Sequence, residues 1–204
     1  MEIQRKRLII ILLLLLASCF GMQGRQPDFV FSHLNTANSE LSFNKVHVIT
    51  QDANGFIWIG TAHGLNRYDG KSIRSFSSAD LGIDSAFIVS LCADEKGNLW
   101  IGSDAGLSYY NYEMDRFEPL ALKSDKGTQV TNKVSRIALD KNGTVWFSVL
   151  HQGLFSYDGN RLINWFFDNG NITLPDGIRA FYIDGNGTFW LSLYFNDLYF
   201  SDDG

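Results

Sequence analysis

The 204 residues include 45% hydrophobic and 14% aromatic side chains, too apolar and ring-rich for a disordered chain and enough for a sizeable core. The formal charge is −5, and the 17 Lys and Arg form no cluster beyond the N-terminus, which excludes the basic footprint of a nucleic-acid binder. Two cysteines, Cys19 and Cys92, are too few for a disulfide framework, so stability must come from packing.

The chain opens with MEIQRKRLIIILLLLLASCFG, a basic head (Arg5, Lys6, Arg7) followed by an apolar run from Leu8 to Ala17. At about 1.5 Å per residue such a run is too short to span a bilayer stably, and it has the length of a signal-peptide core. Residues 1–22 are therefore read as an export leader, which places the rest outside the cytoplasm, periplasmic or tethered to the membrane. The end Leu16-Ala17-Ser18-Cys19 resembles the bacterial lipobox and makes Cys19 a candidate for lipidation. Ordinary cleavage before Gln23 or Gln26 is the other reading. Cys92 lies in an apolar stretch and is read as inert core.

From residue 28 to 204 the chain repeats itself. Trp58, Trp100, Trp146 and Trp190 are spaced by 42, 46 and 44 residues, a repeat period. Asp52, Asp94, Asp140 and Asp184 stand six residues before each Trp, and Gly55, Gly97, Gly143 and Gly187 three before it. Each unit opens with an apolar, β-branched stretch such as VHVIT or VSRIAL, predicted to be a strand. The D-x-x-G that follows is a tight turn in which Gly supplies positive φ and the Asp carboxylate binds turn amides. The Trp lies on a second strand, a turn ending at Gly64, Gly106 or Gly153 leads to a third, and Asp69-Gly70 or Asp158-Gly159 leads to a short fourth.

Four short antiparallel strands at this period predict an all-β fold of β-propeller blades, with about four repeats present and a larger ring of six to eight blades as the whole. The last blade is expected to be incomplete, because the sequence reaches only its third strand. The segment DFVFSHL, from Asp28 to Leu34, is predicted to be a strand able to complete a last blade. The repeated Asp, Gly and Trp are read as blade-builders rather than catalytic groups, since residues common to repeats serve stacking.

The strings LSFNKVHVITQDANGFIWIGTAHGLNRYDG, from Leu41 to Gly70, and VSLCADEKGNLWIGSDAGLSYYN resemble the two-component regulator propeller repeat. The resemblance runs from about Phe29 to the end. It is specific in the first two units and looser in the third, where Phe147-Ser148 replaces Ile-Gly and an extra residue precedes Gly153. It is looser again in the fourth, where Asp197 stands at the second Gly. That family forms the extracytoplasmic sensor of bacterial hybrid two-component regulators, many of which detect breakdown products of complex carbohydrates. The resemblance implies an N-terminal sensor fragment without the kinase and DNA-binding parts, hence a binding module and not an enzyme, with no cofactor.

Ligands of such a sensor would meet the face formed by the turns between strands two and three and by the starts of the first strands. There the units differ from one another while the scaffold repeats, as for a site grafted onto a fold. The candidate ligand-binding residues are Asn44, Lys45, His63, Asp104, Asn132, Lys133, His151, Gln152, Asp176, Arg179, Tyr194 and Asn196, beside Thr61, Ala62, Ser103, Ala105 and Phe195. Amides, charges and rings suit sugars, although solvated turns need polar residues too. His63 and His151 occupy equivalent places, five residues after their Trp, but two His without a third ligand at fixed spacing carry no metal assignment. The expected partners are an oligosaccharide or other small extracytoplasmic ligand, a second copy of the chain in a homodimer, and the membrane. Two alternatives stand beside this reading: a streptogramin-lyase-like propeller enzyme, for which His151 lacks acidic neighbours, and a surface propeller that only binds proteins.

Overall fold

The computed structural model describes residues 30–120, 123, 127, 129–165, 178–193 and 198–201. The chain divides into two compact units, Met1–His33 and Leu34–Gly204. Of the first, only Val30 to His33 are described. They form no strand, and Val30 and Phe31 are exposed. The expectation of a strand from Asp28 to Leu34 therefore fails at its described residues, Val30 to Leu34, none of which is part of a strand. The leader, with Cys19, lies outside the described residues. Among those that are described, no helix is long and apolar enough to cross a membrane.

The second unit is built as the repeats dictate. Its first sheet comprises β1 (Val46–Gln51), β2 (Ile57–Thr61), β3 (Gly64–Tyr68) and β4 (Ile73–Phe76). A single helical turn, α1 (Ser78–Leu81), leads to the second sheet of β5 (Ile88–Ala93), β6 (Leu99–Ser103), β7 (Gly106–Asn111) and β8 (Arg116–Pro119). The third holds β9 (Val134–Leu139), β10 (Val145–Val149), β11 (Gly153–Tyr157) and β12 (Leu162–Trp165), and the fourth β13 (Ile178–Ile183), β14 (Phe189–Leu193) and β15 (Leu198–Phe200). Strand order follows chain order in every sheet, and neighbours are antiparallel. Consecutive first strands lie against one another, so each sheet is a blade whose first strand is innermost.

The D-x-x-G turns close as their chemistry predicts. Gly55, Gly97, Gly143 and Gly187 have φ of 88°, 84°, 81° and 92°. One carboxylate oxygen of Asp52 accepts from the amides of Asn54 and Phe56, and its other oxygen accepts from the Trp58 indole N–H at 2.7 Å. Asp140 holds Trp146 and Asp184 holds Trp190 in the same way, at 3.0 and 3.1 Å. In blade two the Asn98 side-chain amide takes that oxygen of Asp94 instead. In blades one and three the six-residue Asp-to-Trp spacing thus fixes the ring that packs toward the next blade.

Three apolar layers join the blades. Trp58, Leu65 and Phe76 of blade one meet Ile88, Leu91, Leu99, Ile101 and Tyr110 of blade two. Trp100 and Leu107 meet Val134, Ile137, Val145, Phe147 and Phe155 of blade three. Leu154, with Trp146 beside it, meets Ile178, Phe181, Leu191 and Leu193 of blade four. Each blade therefore has a front face that carries the Trp and a rear face of aliphatic and aromatic residues. Two glycines set the approach: a Cβ on Gly60 would come within 2.6 Å of Ile88 Cγ2, and one on Gly102 within 2.7 Å of the Val134 carbonyl.

The turn carboxylates make the fold acid-sensitive. Hydrogen bonds from the Ser72 and Lys71 amides lower Asp69 to about 2. Burial opposes ionisation of Asp140, but the Trp146 indole and the amides of Asn142 and Thr144 still hold it below its ordinary value. Asp158 and Asp184 are lowered as well, Asp158 chiefly by the Arg161 amide and Asp184 chiefly by the Trp190 indole. A carboxylate with a depressed folded pKa stabilises above its unfolded value and loses that contribution as pH falls through the folded one. The thermal midpoint followed by circular dichroism should therefore hold steady from neutral pH to about pH 5 and fall between about pH 4 and pH 2. In Asp69→Asn that fall should be shallower.

Candidate functional site

In blades one, two and three the turn between second and third strands is tied to the start of its own first strand. The amides of Ala62, Asp104 and Leu150 donate to the carbonyls of Lys45, Phe87 and Lys133, at 3.2, 3.2 and 2.9 Å. In blades one and three this brings Lys45 beside the turn of His63, and Lys133 beside the turn of His151 and Gln152. Asp104 holds the same place in blade two, and Arg179 lies at the start of β13 in blade four. Asp176, Tyr194 and Asn196 lie outside the described residues, as do Phe195 and Asp197.

The turns differ for a physical reason. In blades one and two a buried hydroxyl closes the hairpin: Thr61 Oγ1 donates to the Gly64 carbonyl and accepts from the His63 amide, and Ser103 does the same with Gly106 and Ala105. Val149 of blade three has no hydroxyl, and its turn is longer by one residue, with His151 at φ 59°. Thr61 and Ser103 are thus parts of the scaffold.

Other candidates are partly occupied by the frame. Gln152 Nε2 donates to the Gln129 carbonyl at 2.7 Å, and its Oε1 accepts from Thr131 at 3.4 Å. Asn44 Oδ1 accepts from the Thr36 amide, and Asn132 Oδ1 from the Lys133 amide. The His63 ring packs on Phe43 at 4.4 Å. Lys45, His63, Asp104, His151 and Arg179 are exposed, which leaves the charged and imidazole groups facing solvent at the blade ends. Among the described residues no three His, Cys, Asp or Glu side chains converge on a metal-sized site.

One feature of this region was missed by reading the turns alone. Every first strand carries a register slip at its second residue: His47, Val89, Ser135 and Arg179 each sit where two residues oppose one on the neighbouring strand. Such bulges re-aim a side chain. His47 Nδ1 lies 3.0 Å from the Ile88 carbonyl of the next blade, and its ring packs on Phe87 at 4.5 Å. In blade two the Ser90 hydroxyl makes the matching bond to the Val134 carbonyl. These inner-strand bonds stitch consecutive blades together beside the candidate site. A cleft of about 540 Å³, lined by Leu34, Thr36 to Glu40, Tyr68 and Lys71 to Ile73, lies instead at the β3–β4 hairpin, on the opposite edge of blade one.

Residues 40–63 and 82–105 match the family model of the two component regulator propeller. The matched stretches hold the first two strands of blades one and two, which are similar to that repeat. The fold is shared with solved structures at low identity. The extracellular domain of a putative hybrid two component system from B. thetaiotaomicron is 23% identical with a TM-score of 0.64, over 78% of this chain and 22% of that one. PorZ, a surface component of the type-IX secretion system of Porphyromonas gingivalis, is 17% identical with a TM-score of 0.61, over 87% of this chain and 28% of that one. A streptogramin B lyase is 14% identical with a TM-score of 0.55, over 79% of this chain and 55% of that one. The chain thus spans about a fifth of the length of the hybrid-system domain. No curated protein matches it. The two component regulator propeller match covers the first two strands of each of the first two blades, where the sequence repeat is most regular. The third and fourth blades keep the architecture with Ser148 and Ser192 in place of the glycines.

Proposed function

We propose that the chain is an extracytoplasmic ligand-binding propeller segment of a hybrid two-component sensor, and that its ligand is a short glycan-derived oligosaccharide. What supports this reading is that Lys45, His63, Asp104, His151 and Arg179, each exposed, lie at first-strand starts or in turns between second and third strands on a scaffold that otherwise repeats. The two component regulator propeller match supports the sensor role. Exposed imidazoles and charges at the ends of inner strands suit hydroxyl-rich ligands, which take hydrogen bonds and stack on rings. On this reading the leader at 1–22 exports the chain, Cys19 is a lipidation site, and binding shifts the packing of two sensor copies to bias a kinase across the membrane. The role is binding and not catalysis.

The test is a thermal-shift screen of the purified chain against short oligosaccharides released from complex polysaccharides. At least one member should raise the melting midpoint in a saturable way. The paired change His63→Ala with His151→Asn should weaken that ligand by about tenfold or more; Asn is chosen at 151 because it tolerates positive φ. A panel without a stabilising member, or an affinity untouched by the paired change, contradicts the proposal.

A further inference from the structure

The imidazole of His47 stands at the seam between blades one and two. The register slip at the start of β1 pairs Val46 with Thr61 and Val48 with Gly60, so His47 is the inserted residue. Its side chain reaches blade two, with Nδ1 at 3.0 Å from the Ile88 carbonyl and the ring on Phe87 at 4.5 Å between centroids. A carbonyl oxygen only accepts, so Nδ1 carries the proton and the neutral ring keeps a lone pair on Nε2. His47 is partly exposed, and among the described residues no group bonds to that second nitrogen. A seam that served packing alone would not need an imidazole. Between blades two and three the Ser90 hydroxyl makes the matching bond, to the Val134 carbonyl.

We propose that His47 is a further ligand-binding residue, and that its Nε2 accepts a hydrogen bond from a hydroxyl of a neutral sugar unit seated across blades one and two. This rests on the oligosaccharide reading and names the group that selects within it. A chain of contacts joins the ring to the candidate residues. The carbonyl of Phe87, on whose ring the imidazole packs, takes the Asp104 amide at 3.2 Å. The carbonyl of Lys45, two residues before His47, takes the Ala62 amide at 3.2 Å, and the neighbouring His63 ring packs on Phe43. The two charged groups along this chain, Lys45 and Asp104, are exposed and of opposite sign. One donates and the other accepts, as a polyhydroxylated neutral ligand requires. The fixed tautomer adds the selective element: a hydroxyl can donate to Nε2, whereas a carboxylate or sulfate has no proton to give.

The test reads the ring directly. Long-range proton–nitrogen correlation of the isotopically labelled full chain at about pH 8, above the ordinary histidine range, reports which ring nitrogen of His47 is protonated. The proton should be on Nδ1. Cellobiose, xylobiose, mannobiose and the anionic digalacturonate are then titrated in, and at least one of the three neutral disaccharides should shift the His47 Nε2 signal. His47→Asn keeps an amide donor for the Ile88 carbonyl and lacks the second nitrogen. It should melt like the parent and bind that disaccharide about tenfold or more weakly. Should this variant fail to fold, the ring signals of the parent decide. A proton on Nε2 overturns the proposal, as does a shift produced by digalacturonate alone. A disaccharide that binds with the Nε2 signal unmoved overturns it and leaves the oligosaccharide reading standing. Four disaccharides without binding overturn it as well, whatever the wider thermal-shift screen returns.

Discussion

Trp58→Ala should lower the unfolding free energy by about 3–5 kcal/mol, as for other buried aromatics cut to Ala. Trp58 is fully buried in the layer between blades one and two, with Tyr110 at 5.0 Å and Phe76 at 6.0 Å between ring centroids. The Arg67 guanidinium lies 5.5 Å from its ring. Removing it opens a cavity across a blade interface and strands the Asp52 carboxylate oxygen that its indole occupies. Trp190→Ala should cost clearly less, because its ring is partly exposed on an uncovered front face. Urea denaturation of the two variants checks the contrast. Equal losses would mean that the repeated Trp acts within its own sheet, through the Asp bond, and not as a filler between blades.

The second large effect is expected where no side chain stands. Gly102→Ala should destabilise by about 1–3 kcal/mol, the usual result of overpacking. The added methyl would collide with the Val134 backbone carbonyl and with the Ser90 hydroxyl that donates to it. Neither can step aside without separating blades two and three or giving up a buried hydrogen bond. Ser148 fills the equivalent place in blade three and already accommodates a side chain near Ser135, with 3.3 Å between the hydroxyls. Ser148→Ala should therefore change stability by about 1 kcal/mol or less, the net worth of one hydrogen bond. A Gly102→Ala variant as stable as the parent would show that the blades approach less closely than this geometry requires.

Much of the fold was legible because the repeat exposes its own rules. The Asp-Gly-Trp spacing placed every first turn and second strand, and the extra residue before Gly153 appears as the longer turn of blade three. The indole bond was not read from the sequence, although its spacing is constant. Turn amides were an evident role for Asp, whereas a bond six residues away depends on the strand rising back past the carboxylate. The bulges were present in the pattern and overlooked. Val46 and Ile49, Ile88 and Leu91, Val134 and Ile137, and Ile178 and Phe181 are each three residues apart yet share a rear face, which a period-two strand permits only with one residue inserted.

The N-terminal strand failed for the opposite reason. Apolar alternation in DFVFSHL resembles a strand, but alternation specifies a face and not a partner. The candidate site was legible only in outline. Lys45, His63, Asp104, His151 and Arg179 stand at strand starts and turns that the repeat spacing marks out, whereas the use of Gln152 and Asn44 by neighbouring backbone depends on contacts between segments that no local motif encodes.

The decisive point is where a ligand sits. Hydrogen exchange of the chain with and without a stabilising oligosaccharide measures this directly. Protection confined to the amides of Ala62 to Gly64, Asp104 to Ala105 and Leu150 to Gln152 is the predicted result. Protection instead at Thr36 to Glu40 and Lys71 to Ile73, around the cleft on the opposite edge of blade one, would contradict it.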